Sequence, residues 1–273
     1  MKNKLILFSI FLALIFTRFS FAEASFIYQD PKESAFVVSI PKGFDVKGEI
    51  SRPYKEPVIW LQVENKKDSN TIFYISDPSV PLFVEPSDAL IKKGILEGSK
   101  YKISNDQENF FVVKYLKATD YIKDLFLPQL KIIYKDLELY ELEDMTNFVK
   151  NNINPDLLMI LPEFTAAQGV FKFSSKKKKL ISKIFVITQK SLSSEDKFSV
   201  WSAKIITFHC PIADFEKSNL IFNKILETFC LTPEWLKNQA QNSYQEITDI
   251  KFRQEYLKNK YRVFFTRDAG VAQ

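Results

Sequence analysis

The sequence predicts an α+β fold, a mainly antiparallel sheet sandwiched by helices, followed by a long C-terminal helix. Three observations carry the prediction. Short runs rich in Val, Ile, Phe, Tyr and Trp recur along the chain and are joined by polar turns, as hairpin strands are. The run Trp201 to Cys210 is apolar on both alternating faces, with Trp201, Ala203 and Ile205 on one and Val200, Ile206 and Phe208 on the other. That is the pattern of a central strand covered from both sides. Directly after it, Phe215, Phe222, Ile225, Leu226 and Phe229 recur at helical spacing and supply one of the covers. Strands alternating with helices, with hairpins among them, build a layered sandwich.

In chain order, Phe26-Ile27-Tyr28 opens the domain, Asp30-Pro31 turns, and Ala35 to Ile40 is a strand ended by Pro41-Lys42-Gly43. Val58 to Glu64 and Thr71 to Ile75 form a hairpin around the polar loop Asn65 to Asn70. Pro78, Pro81 and Pro86 mark an irregular crossing segment, and Phe110 to Leu116 is a further strand. Thr119 is an N-cap for a short helix through Phe126 that Pro128 terminates or kinks. Leu137 to Leu142 is a strand and Asn147 to Ile160 a helix. Gly169 to Phe173 and Lys179 to Gln189 make a second hairpin with Ser174 to Lys178 as its turn.

Thr232-Pro233-Glu234 is a helix start, with a capping hydroxyl, a proline at the first helical position and an acid in the first turn. Leu236, Ala240, Ser243, Ile247, Ile250, Leu257, Tyr261 and Phe264 continue at spacings of three and four. They describe a helix that either lies on the domain or protrudes to pair with a partner.

The first 22 residues have the layout of a signal peptide. Lys2 and Lys4 precede an apolar run from Leu5 to Phe16, and Ser20-Phe21-Ala22 places small residues where signal peptidase reads. The run is too short to span a bilayer, and a lipoprotein would need a cysteine at the cleavage site, whereas the first is Cys210. Three segments follow: a signal peptide over 1–22, the sandwich domain over 23–231 and a C-terminal helix and tail over 232–273. The expected location is periplasmic or secreted, with no stable membrane insertion. Losing Lys2, Lys4 and Arg18 with the leader lowers the basic excess of 38 Lys and Arg over 33 Asp and Glu by three. The small remainder gives no argument for nucleic-acid binding. Only six glycines are present, which weakens any Gly-rich phosphate loop.

Outside the cytoplasm Cys210 and Cys230 would by default pair. Helix length argues against it: the run from Ala213 carries Cys230 roughly 24 Å from its start, whereas a disulfide needs Cα atoms within about 7 Å. His209 is the single histidine. On a strand it points away from Cys210, so a Cys-His dyad is not expected, and adjacency spoils a zinc set built from His209, Cys210 and Cys230. It reads as a structural or surface residue. Asp136, Glu138, Glu141, Glu143 and Asp144 lack EF-hand spacing and describe a solvated edge. Trp60, Trp201 and Trp235 read as core. No catalytic residue, cofactor or metal is expected.

Two surfaces are candidates for partner contact. The run Lys176, Lys177, Lys178 and Lys179 at the second hairpin tip could meet a polyanion, or be a solvated turn. Tyr244, Ile247, Leu257 and Tyr261 on the C-terminal helix could meet an envelope protein or a second copy of the chain.

Four phrases together resemble an uncharacterised family of bacterial exported proteins with a Mog1/PsbP-like fold. They are Asp30-Pro31-x-Glu33-x-Ala35-Phe36-Val37-Val38-Ser39-Ile40-Pro41-x-Gly43-Phe44, with Phe44 where the family commonly has Trp; Ser76-Asp77-x-x-Val80-Pro81-x-Phe83-x-x-Pro86; Val113-x-Tyr115-Leu116-x-Ala118; and Pro211-x-Ala213-x-Phe215 through Ile225-Leu226-x-Thr228-Phe229 to Pro233-x-Trp235. The resemblance implies a compact α/β sandwich without an established active site, of the kind that serves as an accessory or assembly module.

The functional expectation is a non-enzymatic accessory or binding module of the cell envelope that acts through protein contacts. One alternative is a hydrolase-type enzyme with a dispersed carboxylate site, which a deep pocket holding at least two convergent acids would favour. The other is a secreted factor acting on other cells.

Overall fold

A computed structural model describes residues 24–52, 57–77, 79–102, 109–151, 163–175, 177–192 and 199–242. The expected signal peptide lies outside them. Strands β1 (Ser25–Gln29), β2 (Phe36–Pro41), β3 (Phe44–Ser51), β4 (Val58–Asn65), β5 (Ile72–Ile75) and β6 (Phe83–Val84) come first. Helix α1 (Asp88–Lys92) and strands β7 (Lys100–Lys102) and β8 (Asn109–Val112) follow. A helical segment then runs through α2 (Ala118–Asp120), a π-helical turn (Tyr121–Phe126) and α3 (Leu127–Ile133). The chain continues with β9 (Glu138–Asp144), α4 (Thr146–Asn151), the long strands β10 (Phe164–Ser175), β11 (Lys178–Leu192) and β12 (Ser199–Pro211), α5 (Phe215–Thr228), β13 (Cys230–Leu231) and α6 (Pro233–Asn242).

The molecule is mixed α/β and dominated by sheet. A ten-stranded sheet runs β3-β4-β5-β12-β11-β10-β9, with β6, β7 and β8 branching from the start of β12. A second sheet runs β1-β2-β13. The described ladders are antiparallel except β6 with β8. Among the described residues no helix is long and apolar enough to cross a membrane.

β12 is the central strand that its two apolar faces predict. Ile206, Phe208 and Cys210 enter a first core with β2 to β5, α5 and α6. Here Phe222 of α5 stacks on Phe73 at 5.3 Å and meets Phe208 at 5.0 Å. Trp201, Ala203 and Ile205 enter a second core on the opposite face, under the helical segment. Trp201 stacks on Phe83 at 4.1 Å, meets Tyr121 edge-on at 6.2 Å, and donates its indole N–H to the Val113 carbonyl at 2.8 Å.

Local sequence misjudges several elements. β3 looks polar because it is an edge strand with one inward face, Phe44, Val46, Gly48 and Ile50. At Gly48 a Cβ would lie 2.6 Å from the Trp60 carbonyl oxygen, so even the inward row omits a side chain. The helix expected from Thr119 to Phe126 begins at Ala118, whose N–H is capped by Thr165 Oγ1 of β10 at 2.7 Å. It also passes Pro128: the widened π turn ends at Phe126, and the proline sits in the first turn of α3, where its missing donor costs little. β8 stops at Val112 instead of Leu116, and the helix expected over Asn147 to Ile160 is described over Thr146–Asn151.

At the C-terminal end, Thr232 caps α6 as its sequence indicates, accepting from the Trp235 N–H at 3.4 Å. Trp235 and Leu236 belong to the first core, so α6 is part of the domain. The remainder of the expected C-terminal helix lies outside the described residues. Cys210 is buried and Cys230 exposed, and both are free.

Candidate functional site

The helical segment 118–133 covers only part of the sheet face it packs on. It rests on β10 to β12, while β4 and β5 extend past it. At that step lies a cleft of about 760 Å³. Its floor comes from cross-strand rows of one sheet face: Trp60 and Gln62 of β4, Tyr74 of β5, Thr207 and His209 of β12, Ser182 of β11, and Phe171 and Phe173 of β10. Its wall is helical, with Tyr121, Leu125, Phe126, Gln129, Leu130 and Tyr134. Ser76, Asp77, Ser79, Val80, Pro81 and Phe83 line one end.

Nine of the lining side chains are Phe, Tyr or Trp. Their position follows from period-two alternation, which turns Trp60, Gln62 and Tyr74 to the cleft and Leu61, Val63 and Phe73 to the first core. Among the described lining residues Asp77 is the one acid and there is no lysine or arginine. Asp77 is exposed at the mouth; its Oδ1 accepts from the Ser79 N–H at 2.8 Å and the Ser79 hydroxyl at 2.6 Å. The chain enters this turn through Ser76, held at φ 55°, a left-handed conformation uncommon outside glycine. The Ser76 N–H donates to the Ile205 carbonyl at 2.7 Å, which fixes the strand end against β12.

His209 projects from β12 on the cleft side, opposite to Cys210, as strand geometry requires. Its ring meets Phe173 edge-on at 6.2 Å and lies 6.4 Å from Tyr74. Burial lowers its pKa, so the imidazole is neutral near neutral pH. Burial raises the phenol of Tyr121 to about 12, and Asp77 adds in the same direction. Tyr74 is also raised, by burial first and then by Glu64, Tyr134 and Asp77.

Ser182 pairs with His209 across the ladder, yet the two do not form a nucleophile and base. The Ser182 hydroxyl donates to the Phe208 carbonyl at 3.0 Å, and the Thr207 hydroxyl beside it donates to the Lys183 carbonyl at 3.0 Å. Both hydroxyls thus have backbone carbonyl acceptors, and they also lie 3.2 Å from each other. Among the described residues no three of His, Cys, Asp and Glu converge as a metal set. The dispersed-carboxylate enzyme called for two convergent acids in a deep pocket; the pocket exists and its described lining holds one. The arrangement presents aromatic faces and neutral hydrogen-bonding groups around an open space.

The described residues expected to contact partners lie elsewhere. Lys177 sits exposed at the hairpin tip with φ 66°, Lys178 pairs with Asp68 at 3.1 Å and Lys179 with Asp136 at 3.6 Å. Two described members of the lysine run therefore already have carboxylate neighbours. Lys176, Tyr244, Ile247, Leu257 and Tyr261 lie outside the described residues. Glu138, Glu141 and Glu143 are exposed on β9, which ends the sheet, as a solvated edge should be. Trp201 and Trp235 are core, while Trp60 is half-buried and lines the cleft. Of the phrase Ser76-Asp77-x-x-Val80-Pro81-x-Phe83-x-x-Pro86, the named residues Ser76, Asp77, Val80, Pro81 and Phe83 line the cleft and Pro86 does not.

No family model matches the chain, and no curated protein matches it. The solution structure of cyanobacterial PsbP (CyanoP) from Synechocystis sp. PCC 6803 is similar over 78% of this chain and 96% of that one, at 9% identity and a TM-score of 0.34. A superposition this loose assigns neither family nor function.

Proposed function

We propose that this protein is an exported, non-catalytic binding module of the cell envelope and that the aromatic cleft is its recognition site. The observation that carries the reading is the cleft itself, an open space of about 760 Å³ with nine aromatic side chains in its lining. Ligand sites are concave, largely apolar and furnished with a few polar groups that orient the ligand, and this lining has that composition. The leader-like first 22 residues support export to the periplasm or beyond. The resemblance of the sequence motifs to Mog1/PsbP-like exported proteins fits an accessory role. Contact with an envelope partner or a second copy through the segment beyond Asn242 belongs to the same proposal.

The test is a titration of the purified protein with a neutral aromatic probe, 2-phenylethanol, followed by the indole N–H signals in nitrogen-15 NMR. Trp60 lines the cleft, whereas Trp201 and Trp235 are buried in the cores, so the Trp60 signal should move saturably while the other two stay. Equal movement of all three, or none with this probe or its charged phenyl analogues, defeats the proposal.

A further inference from the structure

The chain has 38 Lys and Arg side chains, yet none is among the described residues that line the cleft. Among the described lining residues Asp77 is the one acid, and burial lowers the pKa of His209, which keeps its imidazole neutral near neutral pH. Asp77 Oδ1 holds the Ser79 turn, and among the described residues no donor meets Oδ2. Trp60, Tyr74 and Tyr134 stand on the same cleft, all half-buried. Aromatic faces carry negative quadrupole density and attract cations, and a carboxylate adds to the same sign. Burial first, and the Asp77 charge after it, raises the phenols of both Tyr74 and Tyr121, so the carboxylate lies within electrostatic reach of these cleft side chains.

We infer that the cleft binds a small organic cation, an ammonium group on an apolar body, with the body among the aromatic side chains and the charge toward Asp77. This rests on the cleft being the binding site and adds the sign of the ligand's charge. An anionic ligand would find no basic side chain in the described lining and would face Asp77. A neutral apolar ligand would leave the carboxylate unused.

Three probes that share a phenyl ring and differ in charge separate these cases: 2-phenylethylamine, 2-phenylethanol and 3-phenylpropionate. Their affinities are measured at pH 7.5 and low salt from the Trp60 indole signal. The amine should bind about tenfold more tightly than the alcohol, and the carboxylate more weakly than either. Asp77→Asn should reduce the amine's advantage over the alcohol to within about threefold. Because Asp77 also holds the Ser79 turn, Trp60→Leu provides a second variant, read by ligand-observed saturation transfer; it should weaken the amine more than the alcohol. Equal binding of amine and alcohol, or tighter binding of the carboxylate, overturns the cation inference and leaves the cleft as a binding site. If no probe moves the Trp60 signal, both readings fail.

Discussion

At the scale of single residues, Asp30 does more than make the turn its Asp-Pro sequence suggests. It is 1% exposed, and its two oxygens accept four backbone N–H groups: Oδ1 from Lys32 and Ile50, Oδ2 from Glu33 and Ala35. Replacing it leaves buried donors without acceptors, which costs more than a bond between neutral groups. Asp30→Ala should lower the unfolding free energy by about 3 kcal/mol, read by urea denaturation, with Asp30→Asn losing less. His209 makes a different prediction, about pH. Its pKa is lowered in the fold by burial, so below about 6.5 the unfolded chain takes up a proton that the folded chain refuses. Stability present above that pH is lost as pH falls toward the folded pKa. Urea midpoints at pH 7.5 and 5.5 should show a larger acid loss in the natural protein than in His209→Phe. The cysteines give a third case. Burial pushes the Cys210 thiol up to about 11, while Cys230 is exposed. Ellman's reagent at pH 8 should therefore modify one thiol of the native protein quickly and the second only after denaturation.

At the scale of elements, α6 shows how a terminal helix becomes part of a domain. Trp235 and Leu236 are buried, and the Trp235 indole donates to Glu33 Oε2 at 2.8 Å. Glu33 is in turn held by Arg52 at 2.6 Å, and that guanidinium lowers its pKa. The Thr232 hydroxyl donates to the Ser34 carbonyl at 2.8 Å and completes the seam. Truncation after Leu231 should lower the melting temperature by many degrees, whereas truncation after Asn242 keeps both core residues and should change it little. Thermal melts followed by circular dichroism separate the two outcomes. The helical segment 118–133 teaches the opposite lesson about local signals. Its first N–H is capped from β10, 47 residues along the chain, and its proline follows a widened turn. Neither device leaves a local mark that a reader could find.

At the scale of the whole molecule, β12 joins two cores that lie on opposite faces of one sheet. Phe222 belongs to the first core and Trp201 to the second, and the strand between them supplies side chains to both. Damage to one core should then be felt in the other. Phe222→Ala should destabilise the protein by about 3–5 kcal/mol. The unfolding curves from circular dichroism and tryptophan fluorescence should still coincide, as one cooperative transition requires. Separate transitions would show the two cores to be independent.

The alternating apolar faces of β12, the spacing of Phe215 to Phe229, the hairpin loops and the Thr232-Pro233-Glu234 cap are all local patterns. They determine strand, helix and layer because burial acts on every second or every third to fourth residue whatever the remaining chain does. β3 escaped that reading because its inward row includes Gly48 and its outward row is charged. The cleft was hidden for a deeper reason. Trp60, Tyr74, Tyr121 and His209 are scattered over some 150 residues, with Trp60 reading as core and His209 as a structural or surface residue. They line an open space because the helical segment is too short to cover the sheet it rests on. That mismatch of areas belongs to no single element. It arises only when the layers meet, and so only the tertiary structure could decide it.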